Sequence, residues 1–380
     1  MKLLIPIVRI VVGTLFIFSG LIKANDPMGL SYKMQEFFEL WNLSQFNGLS
    51  LLISFTLIAF EIVVGVALLI GWKSRLISWI LLVLILLFTF LTGYAFLSGK
   101  FKNCGCFGDC IPISPLTSFV KDVILLVLIS LLFIVSNTIK PLFSKSINVC
   151  LLIGTTVGSI WIQLYVLNHL PLFDCLPFKN GNSISEKMKM PANAITDSVV
   201  VTFVYDKIGT RVEFTADKFP EDFNDSTYKF VDRYDKLIRK GKNNEPPIKG
   251  FSLKTLDNLD VTYEILEKEK PLVLFFSERI SKINPSWNKS IAEMQDLLFE
   301  NDIQMVVVTA ESENSNSSKN KFSYIINNPD ILVVRCDATA IRTAARINPT
   351  MYLLKKGIVE GKWAPTDFEA AKKIILSQRL

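Results

Sequence analysis

Apolar runs of roughly 20 residues recur before residue 170, each long enough as a helix to cross about 30 Å of hydrocarbon. Beyond residue 170, apolar and polar residues mix as in an ordinary globular protein. We therefore predict five membrane-spanning helices followed by a soluble region. The predicted spans are 3–22, 50–71, 76–97, 116–135 and 147–167.

The charges in the connecting loops predict the orientation of the spans. Lys73 and Arg75 lie between the second and third spans, and Lys140 and Lys145 lie between the fourth and fifth. Neither loop contains an acid, so the positive-inside rule makes both loops cytoplasmic. The N-terminus is then also inside, and the remaining loops and everything after residue 168 lie outside.

The composition agrees with a membrane protein. Half of the 380 residues are hydrophobic and the mean hydropathy is +0.37, more than a soluble chain with 20% charged residues needs. The net charge of +6 gives no reason to expect a nucleic-acid partner, because lysines and acids are interspersed. The first run could be a cleaved signal peptide, but it is too long, Arg9 interrupts it, and no small-x-small site follows.

Arg9 and Glu61 are ionisable residues inside predicted spans, where an unpaired charge costs about 2.5–3.5 kcal/mol. Counted from the outer ends of two antiparallel helices, they fall within about 3 Å of the same depth. We therefore predict an intramembrane Arg9–Glu61 ion pair. The alternative is that Arg9 extends to the inner surface while Glu61 is protonated and bonded to a neighbouring helix.

Four of the six cysteines lie on the predicted outer side. Cys104, Cys106 and Cys110 fall in the sequence CGCFGDC, and Cys175 follows the last span. In an oxidising compartment such thiols tend to form disulfides, and Cys110 with either Cys104 or Cys106 is less strained than Cys104 with Cys106. The third thiol is then free or paired with Cys175.

This cysteine loop has three interpretations: a structural disulfide, a redox-active exchange site, or a metal site. The metal site is the weakest, because zinc needs four ligands and the loop supplies three; Cys175 or His169 would have to complete the set. We therefore predict no metal and keep the two disulfide interpretations open. Cys150 and Cys336 are expected to be ordinary apolar side chains.

The N-terminal region resembles the MauE branch of the DoxX-like membrane proteins. The residues that carry the resemblance are Arg9, Gly13, Phe18-Ser19-Gly20, Lys23, Asp26-Pro27, Glu61, Gly65 and the CGCFGDC loop. The resemblance covers about residues 1–140 and implies a four-helix module of the bacterial inner membrane, to which this chain adds a fifth span at 141–170. MauE implies methylamine utilisation and maturation of a disulfide-rich enzyme subunit, and DoxX relatives imply a quinone as candidate cofactor.

The region after the spans divides into a connector at 171–248, containing a β-hairpin, and an α/β domain at 249–380. In the α/β domain, predicted strands at 271–276, 303–309, 331–336 and 351–355 alternate with helices, including one at 318–327, and a return strand and last helix follow. This order resembles thioredoxin, with Pro349 at the cis-proline position. This sequence departs from thioredoxins in one respect. Thioredoxins carry a C-x-x-C motif after the first central strand, where this sequence reads SERISKINPSW and has no cysteine.

Two functions fit these observations. The chain is an envelope thiol-redox or maturation factor whose cysteine loop exchanges with client thiols or a quinone, or it is a non-enzymatic membrane scaffold whose external domain binds a partner. The sequence does not decide whether the protein is an enzyme. A transporter is disfavoured, because the spans show no repeat and no broken helix.

Overall fold

A computed structural model describes residues 4–101, 103–239, 241, 243–311 and 331–377. Among these residues, five helices are long and apolar enough to cross a membrane, which confirms the predicted spans. They are α1 (Leu4–Ala24), α3 (Ser50–Ile70), α4 (Ser74–Ser98), α5 (Pro115–Ile134) and α6 (Lys145–His169).

Helices α1 and α3 pack closely because glycines line their contact. A Cβ added at Gly13 would lie 2.6 Å from the Leu69 side chain, and one at Gly20 would lie 2.5 Å from the Ile62 side chain. Small residues allow such close approach of membrane helices. The contacts fix the relative height of the two helices, with Gly20 beside Ile62 and Gly13 beside Leu69.

A short helix that the sequence did not predict, α2 (Pro27–Leu40), lies between α1 and α3. The Asp26 side chain accepts a hydrogen bond from the Gly29 amide at 2.9 Å, and Pro27 occupies the first turn, where no amide donor is needed. Helix α2 packs against α3 through buried Leu30. The segment between the first two spans is therefore a folded part of the membrane module and not an open loop.

The connector contains a three-stranded antiparallel sheet of order β2-β1-β3. The predicted hairpin is formed by β1 (Ser198–Lys207) and β2 (Thr210–Thr215), with Ile208 and Gly209 in the left-handed region at its turn. The third strand, β3 (Tyr228–Arg239), pairs with β1 and was not predicted. Part of the connector nevertheless belongs to the following domain. Phe178 and Ile184 are both buried in that domain's core, and Ile184 begins the short helix α7 (Ile184–Lys187).

The α/β domain contains a five-stranded sheet of order β6-β5-β4-β7-β8. Strands β4 to β6 are parallel to one another, β7 is antiparallel to β4, and β8 is antiparallel to β7. The strands are β4 (Leu272–Ser277), β5 (Gln304–Thr309), β6 (Leu332–Arg335), β7 (Thr350–Lys355) and β8 (Ile358–Trp363). The helices are α8 (Thr262–Leu266), α9 (Asn288–Glu300), α10 (Ala338–Ala344) and α11 (Phe368–Ser377). The helix predicted at 318–327 lies outside the described residues.

Alternating side chains of the sheet build two apolar cores, one on each face. On one face Phe275 and Leu353 pack with α9 and α11, and on the other Phe276 and Tyr352 pack with α10. The Asn348–Pro349 peptide bond, immediately before β7, is cis. The strand order, the helices on both faces and the cis-proline together give the thioredoxin-like arrangement that the sequence predicted.

Candidate functional site

The cysteine loop (residues 99–114) connects α4 to α5 and lies against α2. Gly108 donates a backbone hydrogen bond to the Gly105 carbonyl at 3.1 Å, closing a tight turn around the cysteines. Gly105 has a φ of +69°, and a Cβ there would lie 3.1 Å from the Lys33 side chain. Glycine at this position therefore allows both the turn and the close approach of the loop to α2.

Cys110 is bonded to Cys175 in a disulfide with a Cα–Cα distance of 4.8 Å. The prediction that Cys110 pairs with Cys104 or Cys106 is therefore wrong, and Cys175 is the partner. The reason is that residues 170–175 turn back over the membrane module after α6. There the Asn25 side chain accepts from the Phe173 amide at 2.9 Å and donates to its carbonyl at 2.8 Å.

Cys104 and Cys106 of the cysteine loop carry free thiols and are half-buried. Burial raises the pKa of the Cys104 thiol to about 11, and the neighbouring Cys106 acts in the same direction. Burial also raises the pKa of the Cys106 thiol, with Lys121 as the largest opposing influence. These thiols therefore stay protonated at neutral pH unless a neighbouring base accepts their protons.

Glu61 is fully buried and pairs with Lys23, whose Nζ donates to the two carboxylate oxygens at 2.6 and 2.9 Å. The predicted Arg9–Glu61 pair is thus wrong: Arg9 Nη2 donates to the Leu69 carbonyl instead. The cause is the relative height of α1 and α3, because α3 extends beyond the C-terminal end of α1 and packs there against α2. Glu61 consequently lies near the C-terminal end of α1, and Arg9 lies near the C-terminal end of α3.

A second buried carboxylate, Asp122 of α5, faces the same region. It accepts hydrogen bonds from Lys121 Nζ at 2.5 Å and from Thr92 Oγ1 at 3.0 Å, and its side chain is fully buried. Neither Lys121 nor Asp122 was among the predicted site residues. The sequence does carry a signal for them, because both interrupt the apolar run at 116–135.

The two thiols and these charged groups surround a cavity of about 50 Å³ beneath the cysteine loop. Its wall includes Cys104, Cys106, Lys23, Lys121 and Asp122. A neighbouring cavity of about 20 Å³ is lined by Ser19, Glu61, Lys121 and Asp122. Ser19 Oγ lies 3.0 Å from the Cys106 carbonyl and 3.3 Å from Glu61 Oε2, and so joins the loop to the Lys23–Glu61 pair.

The α/β domain contacts the membrane module through a buried arginine. Arg346 follows α10, and its Nε donates to Asp26 Oδ2 at 2.8 Å while Nη2 donates to Asp109 Oδ2. Asp26 caps α2, and Asp109 immediately precedes the disulfide residue Cys110. Because the Arg346 side chain is only 6% exposed, these bonds tie the domain, α2 and the cysteine loop into one buried junction.

A groove of about 740 Å³ runs along this junction, between α2, the cysteine loop, the connector and α10. The exposed Cys175 forms part of its wall, so the disulfide borders an open space. Among the described residues, six basic and three acidic side chains line the groove. The wall of the groove therefore carries more positive than negative side chains.

The residues considered for a metal site are not brought together. His169 Nδ1 lies 2.7 Å from Asp367 Oδ1 and thereby links α6 to the α/β domain. The described ranges contain no cluster of three or more His, Cys, Asp or Glu that could hold a metal ion. Cys150 is exposed in α6, and Cys336 is buried in the domain's apolar core.

The α/β domain has charged residues where thioredoxins carry their cysteines. Glu278 directly follows β4 and pairs with Arg342 of α10 at 2.7 and 3.0 Å. The buried Ser277 hydroxyl bonds to the Asn348 side chain, next to cis Pro349. This edge is therefore held together by ordinary polar contacts, and it faces the membrane module through Arg346.

The fold and the site define a class: an integral membrane protein with an internal disulfide at the junction with an extramembrane thioredoxin-like domain. Within that class, residues 1–135 match the family model of methylamine utilisation protein MauE. Residues 199–240, which cover β2, β3 and all of β1 except its first residue, match a domain of unknown function (DUF8463). The MauE match covers the resemblance predicted from the sequence; the broader DoxX-like grouping stays a prediction.

Two further similarities were found. Protein TlpB of Flavobacterium psychrophilum is 29% identical over 209 residues, 53% of this chain and 55% of TlpB. The chain thus spans about half the length of this curated relative. A solved structure of BsSco, a member of the Sco family of cytochrome c oxidase assembly proteins, is 12% identical; the match covers 34% of this chain and 91% of BsSco, with a TM-score of 0.25.

Proposed function

We propose that this chain is a membrane thiol–disulfide exchange protein that oxidises cysteine thiols of client polypeptides. The observation that carries the proposal is the Cys110–Cys175 disulfide on the wall of an open groove. A disulfide reacts when a thiolate reaches one of its sulfurs, and Cys175 is exposed to the groove. Free Cys104 and Cys106 lie six and four residues before Cys110 in the same loop, and form a second dithiol for exchange.

The exchange with a client is balanced without a further reagent. A client thiolate attacks Cys175 Sγ, the Cys110–Cys175 bond breaks, and Cys110 leaves with the electron pair and takes up a proton. A second client thiolate then attacks the mixed disulfide and releases the Cys175 thiol. The client is oxidised by two electrons, and the chain is left with the Cys110 and Cys175 thiols.

Continued turnover needs an electron acceptor, for which we propose a membrane quinone. The cavities of about 50 and 20 Å³ beneath the loop are of water size, so a quinone would have to approach the loop from the lipid side. Inhibiting the respiratory enzymes that reduce quinone keeps the quinone pool oxidised and is expected to leave the cysteines oxidised. Inhibiting the enzymes that oxidise quinol keeps the pool reduced and is expected to leave the cysteines reduced. Redox states that ignore both treatments would exclude the quinone.

The orientation is part of the same proposal. The basic loops with Lys73 and Lys140 are cytoplasmic, and the groove and the α/β domain face the periplasm of a bacterial inner membrane. Protease added to intact spheroplasts is expected to cleave the connector near β3. Protection there, together with cleavage only after lysis, would reverse the orientation.

The MauE family description names methylamine utilisation, and the first client that we propose to test is a disulfide-containing protein of that process. The experiment adds a reduced client or a reduced dithiol peptide to the purified chain and follows all six cysteines by thiol-specific mass tagging. We expect one client disulfide to form for each Cys110–Cys175 disulfide that is lost. A disulfide that survives excess client thiol would overturn the exchange function.

A scaffold is the second candidate function, favoured by one observation. The thioredoxin-like domain has no cysteine at the end of β4 and is held to the membrane module through the buried Arg346. A scaffold predicts that Cys110→Ser and Cys175→Ser lower the amount of folded protein and lower partner binding in the same proportion. Exchange of thiols would then be absent from the wild-type chain as well.

A further inference from the structure

Two ion pairs converge under the cysteine loop within the outer half of the membrane module. The Lys23–Glu61 pair comes from α1 and α3, and the Lys121–Asp122 pair comes from α5. Both carboxylate side chains are completely buried, and burying such pairs costs desolvation free energy that their mutual attraction does not always repay. An apolar contact would hold these helices together without this desolvation free energy. Packing alone therefore does not explain the charges, and a role in the chemistry of the thiols does.

The spaces between the pairs have the size and polarity that ordered water requires. A buried site holds water when it offers more than about 10–15 Å³ and two to four polar partners. The cavities of about 50 and 20 Å³ meet the volume requirement, and Ser19, Lys121 and Asp122 border both of them. The thiols of Cys104 and Cys106 border the larger one, and Glu61 borders the smaller one.

We propose that this charged cavity is a proton-transfer site, in which ordered water carries the Cys106 thiol proton to the Asp122 carboxylate. The proposal rests on the exchange function above and assigns it a base. Lys121 lies between Asp122 and the loop, where its ammonium stabilises a thiolate that forms at Cys106. The Lys23–Glu61 pair lies on the other side of the cavity, where the Ser19 hydroxyl donates a hydrogen bond to Glu61.

The proton accompanies exchange between the two cysteine pairs. After Cys106 loses its proton to Asp122, its thiolate attacks Cys110 Sγ, and Cys175 leaves with the electron pair and takes a proton from solvent. Cys104 Sγ then attacks Cys106 Sγ, and Cys110 leaves with the electron pair and the Cys104 proton. The products are a Cys104–Cys106 disulfide and two thiols at the groove, so two electrons move and every proton has a destination. In turnover the same exchange runs in reverse, from an oxidised Cys104–Cys106 pair to the groove disulfide. Because the Cys104–Cys106 bond is the more strained one, the direction written here proceeds only when the Cys175 thiol is trapped.

The charged groups that face the cavity come from several elements. They are Lys23 of α1, Lys33 of α2, Glu61 of α3, Lys121 and Asp122 of α5, and the thiols of Cys104 and Cys106. Helix α4 contributes the Thr92 hydroxyl to Asp122. Among the described residues, Asp122 is the carboxylate that borders the larger cavity together with both thiols, whereas Glu61 borders the smaller one alone, so Asp122 is the carboxylate placed to receive the thiol proton.

The test follows the rate at which the Cys175 thiol appears after a jump from acidic pH. A membrane-impermeant maleimide traps that thiol, and the rate is measured from pH 6 to pH 10 in the full-length chain. Asp122→Asn is expected to slow the exchange about 100-fold near neutral pH, the lower end of what a general base contributes. The slow rate should recover at high pH, where hydroxide replaces the lost carboxylate.

Two matched measurements control for a merely structural effect. Asp296→Asn, the same change on the exposed face of α9, is expected to leave the pH profile unchanged. Asp122→Glu keeps a carboxylate and should restore most of the rate. If Asp122→Asn does not fold, the wild-type exchange is measured in heavy water, where rate-limiting proton transfer makes it slower.

The outcomes separate this inference from the exchange function on which it rests. A wild-type chain that never releases the Cys175 thiol would overturn both. A wild-type chain that exchanges normally, with an Asp122→Asn profile parallel to it at every pH, would overturn only the proton-transfer site. An exchange rate that is equal in light and heavy water would do the same.

Discussion

A thioredoxin carries its cysteine pair within its own fold, whereas in this chain the thioredoxin-like domain and the clustered cysteines are in different regions. The domain has the strand order and the cis-proline but no cysteine directly after β4. Cys104, Cys106 and Cys110 belong instead to the helical membrane module, and Cys175 belongs to the connector. The two regions meet at Arg346, which bonds to Asp109 beside Cys110. The comparison teaches that a thioredoxin-like fold can be present without cysteines at the end of its first central strand, while the clustered cysteines belong to another part of the chain, so the fold alone does not assign the function.

The largest expected effect tests which region carries the chemistry. Cys175→Ser should reduce the oxidation of a reduced dithiol peptide to the background rate, because no disulfide remains at the groove. Cys336→Ser, in the domain's core, should leave the rate per folded molecule unchanged. Both are measured by following peptide oxidation at matched protein concentration. If Cys336→Ser lost activity and Cys175→Ser did not, the reactive cysteine would belong to the thioredoxin-like domain.

The next effect concerns the junction between the regions. Arg346→Ala should destabilise the docked arrangement by about 3–5 kcal/mol, because it leaves Asp26 and Asp109 without their buried partner. Hydrogen exchange of α2 and α10 in the detergent-solubilised chain measures the loss. A change below about 1 kcal/mol would show that the two regions are held together by other contacts.

The thiols of the loop should also differ from ordinary thiols in their pH dependence. Since the pKa of Cys104 is raised from 9.0 to about 11, its thiolate fraction at pH 8 should be about 100-fold smaller than in the unfolded chain. Alkylation of Cys104 should therefore be slow at pH 8 and accelerate as the pH rises towards 11. Site-resolved mass spectrometry of the alkylated protein gives the rates, with denatured protein as the control. Equal rates in the two states would contradict the burial of this thiol.

The smallest effect is expected at the domain's own polar pair. Glu278→Ala should cost about 1 kcal/mol or less, because the Glu278–Arg342 pair is partly exposed. Peptide oxidation should remain at the wild-type rate, since the pair lies on the domain side of the junction. Chemical denaturation and the oxidation assay together check both statements. A large loss of oxidation with little loss of stability would mean that this edge of the domain contacts the client.

Much of the fold could be predicted because its signals are local. Apolar runs of spanning length, the alternation of strands and helices, and Asn348-Pro349 before a strand are each contained in a few neighbouring residues. Helix α2 and strand β3 escaped prediction because their own patterns are weak. They are stabilised by packing against α3 and by pairing with β1, which are contacts with distant residues.

The site was predicted less well than the fold. The cysteine loop was identified from the spacing of its thiols, but the partners of Cys110 and Glu61 were not. Asp122 carried a readable signal, a charge within an apolar run, whereas Arg346 carried none, since one arginine among many gives no indication of burial. Each of these partners depends on which surfaces meet after folding.

The sequence by itself determined five membrane helices, a loop with clustered cysteines and a thioredoxin-like domain without C-x-x-C, because length, hydropathy and residue order are properties of the chain. Only the tertiary structure decided that Cys110 bonds to Cys175, that Glu61 pairs with Lys23, and that Arg346 joins the two regions. The physical reason is that the close contact of α1 with α3 and the return of the chain after α6 fix relative heights and distances. Such contacts between residues far apart in sequence leave no local pattern to read.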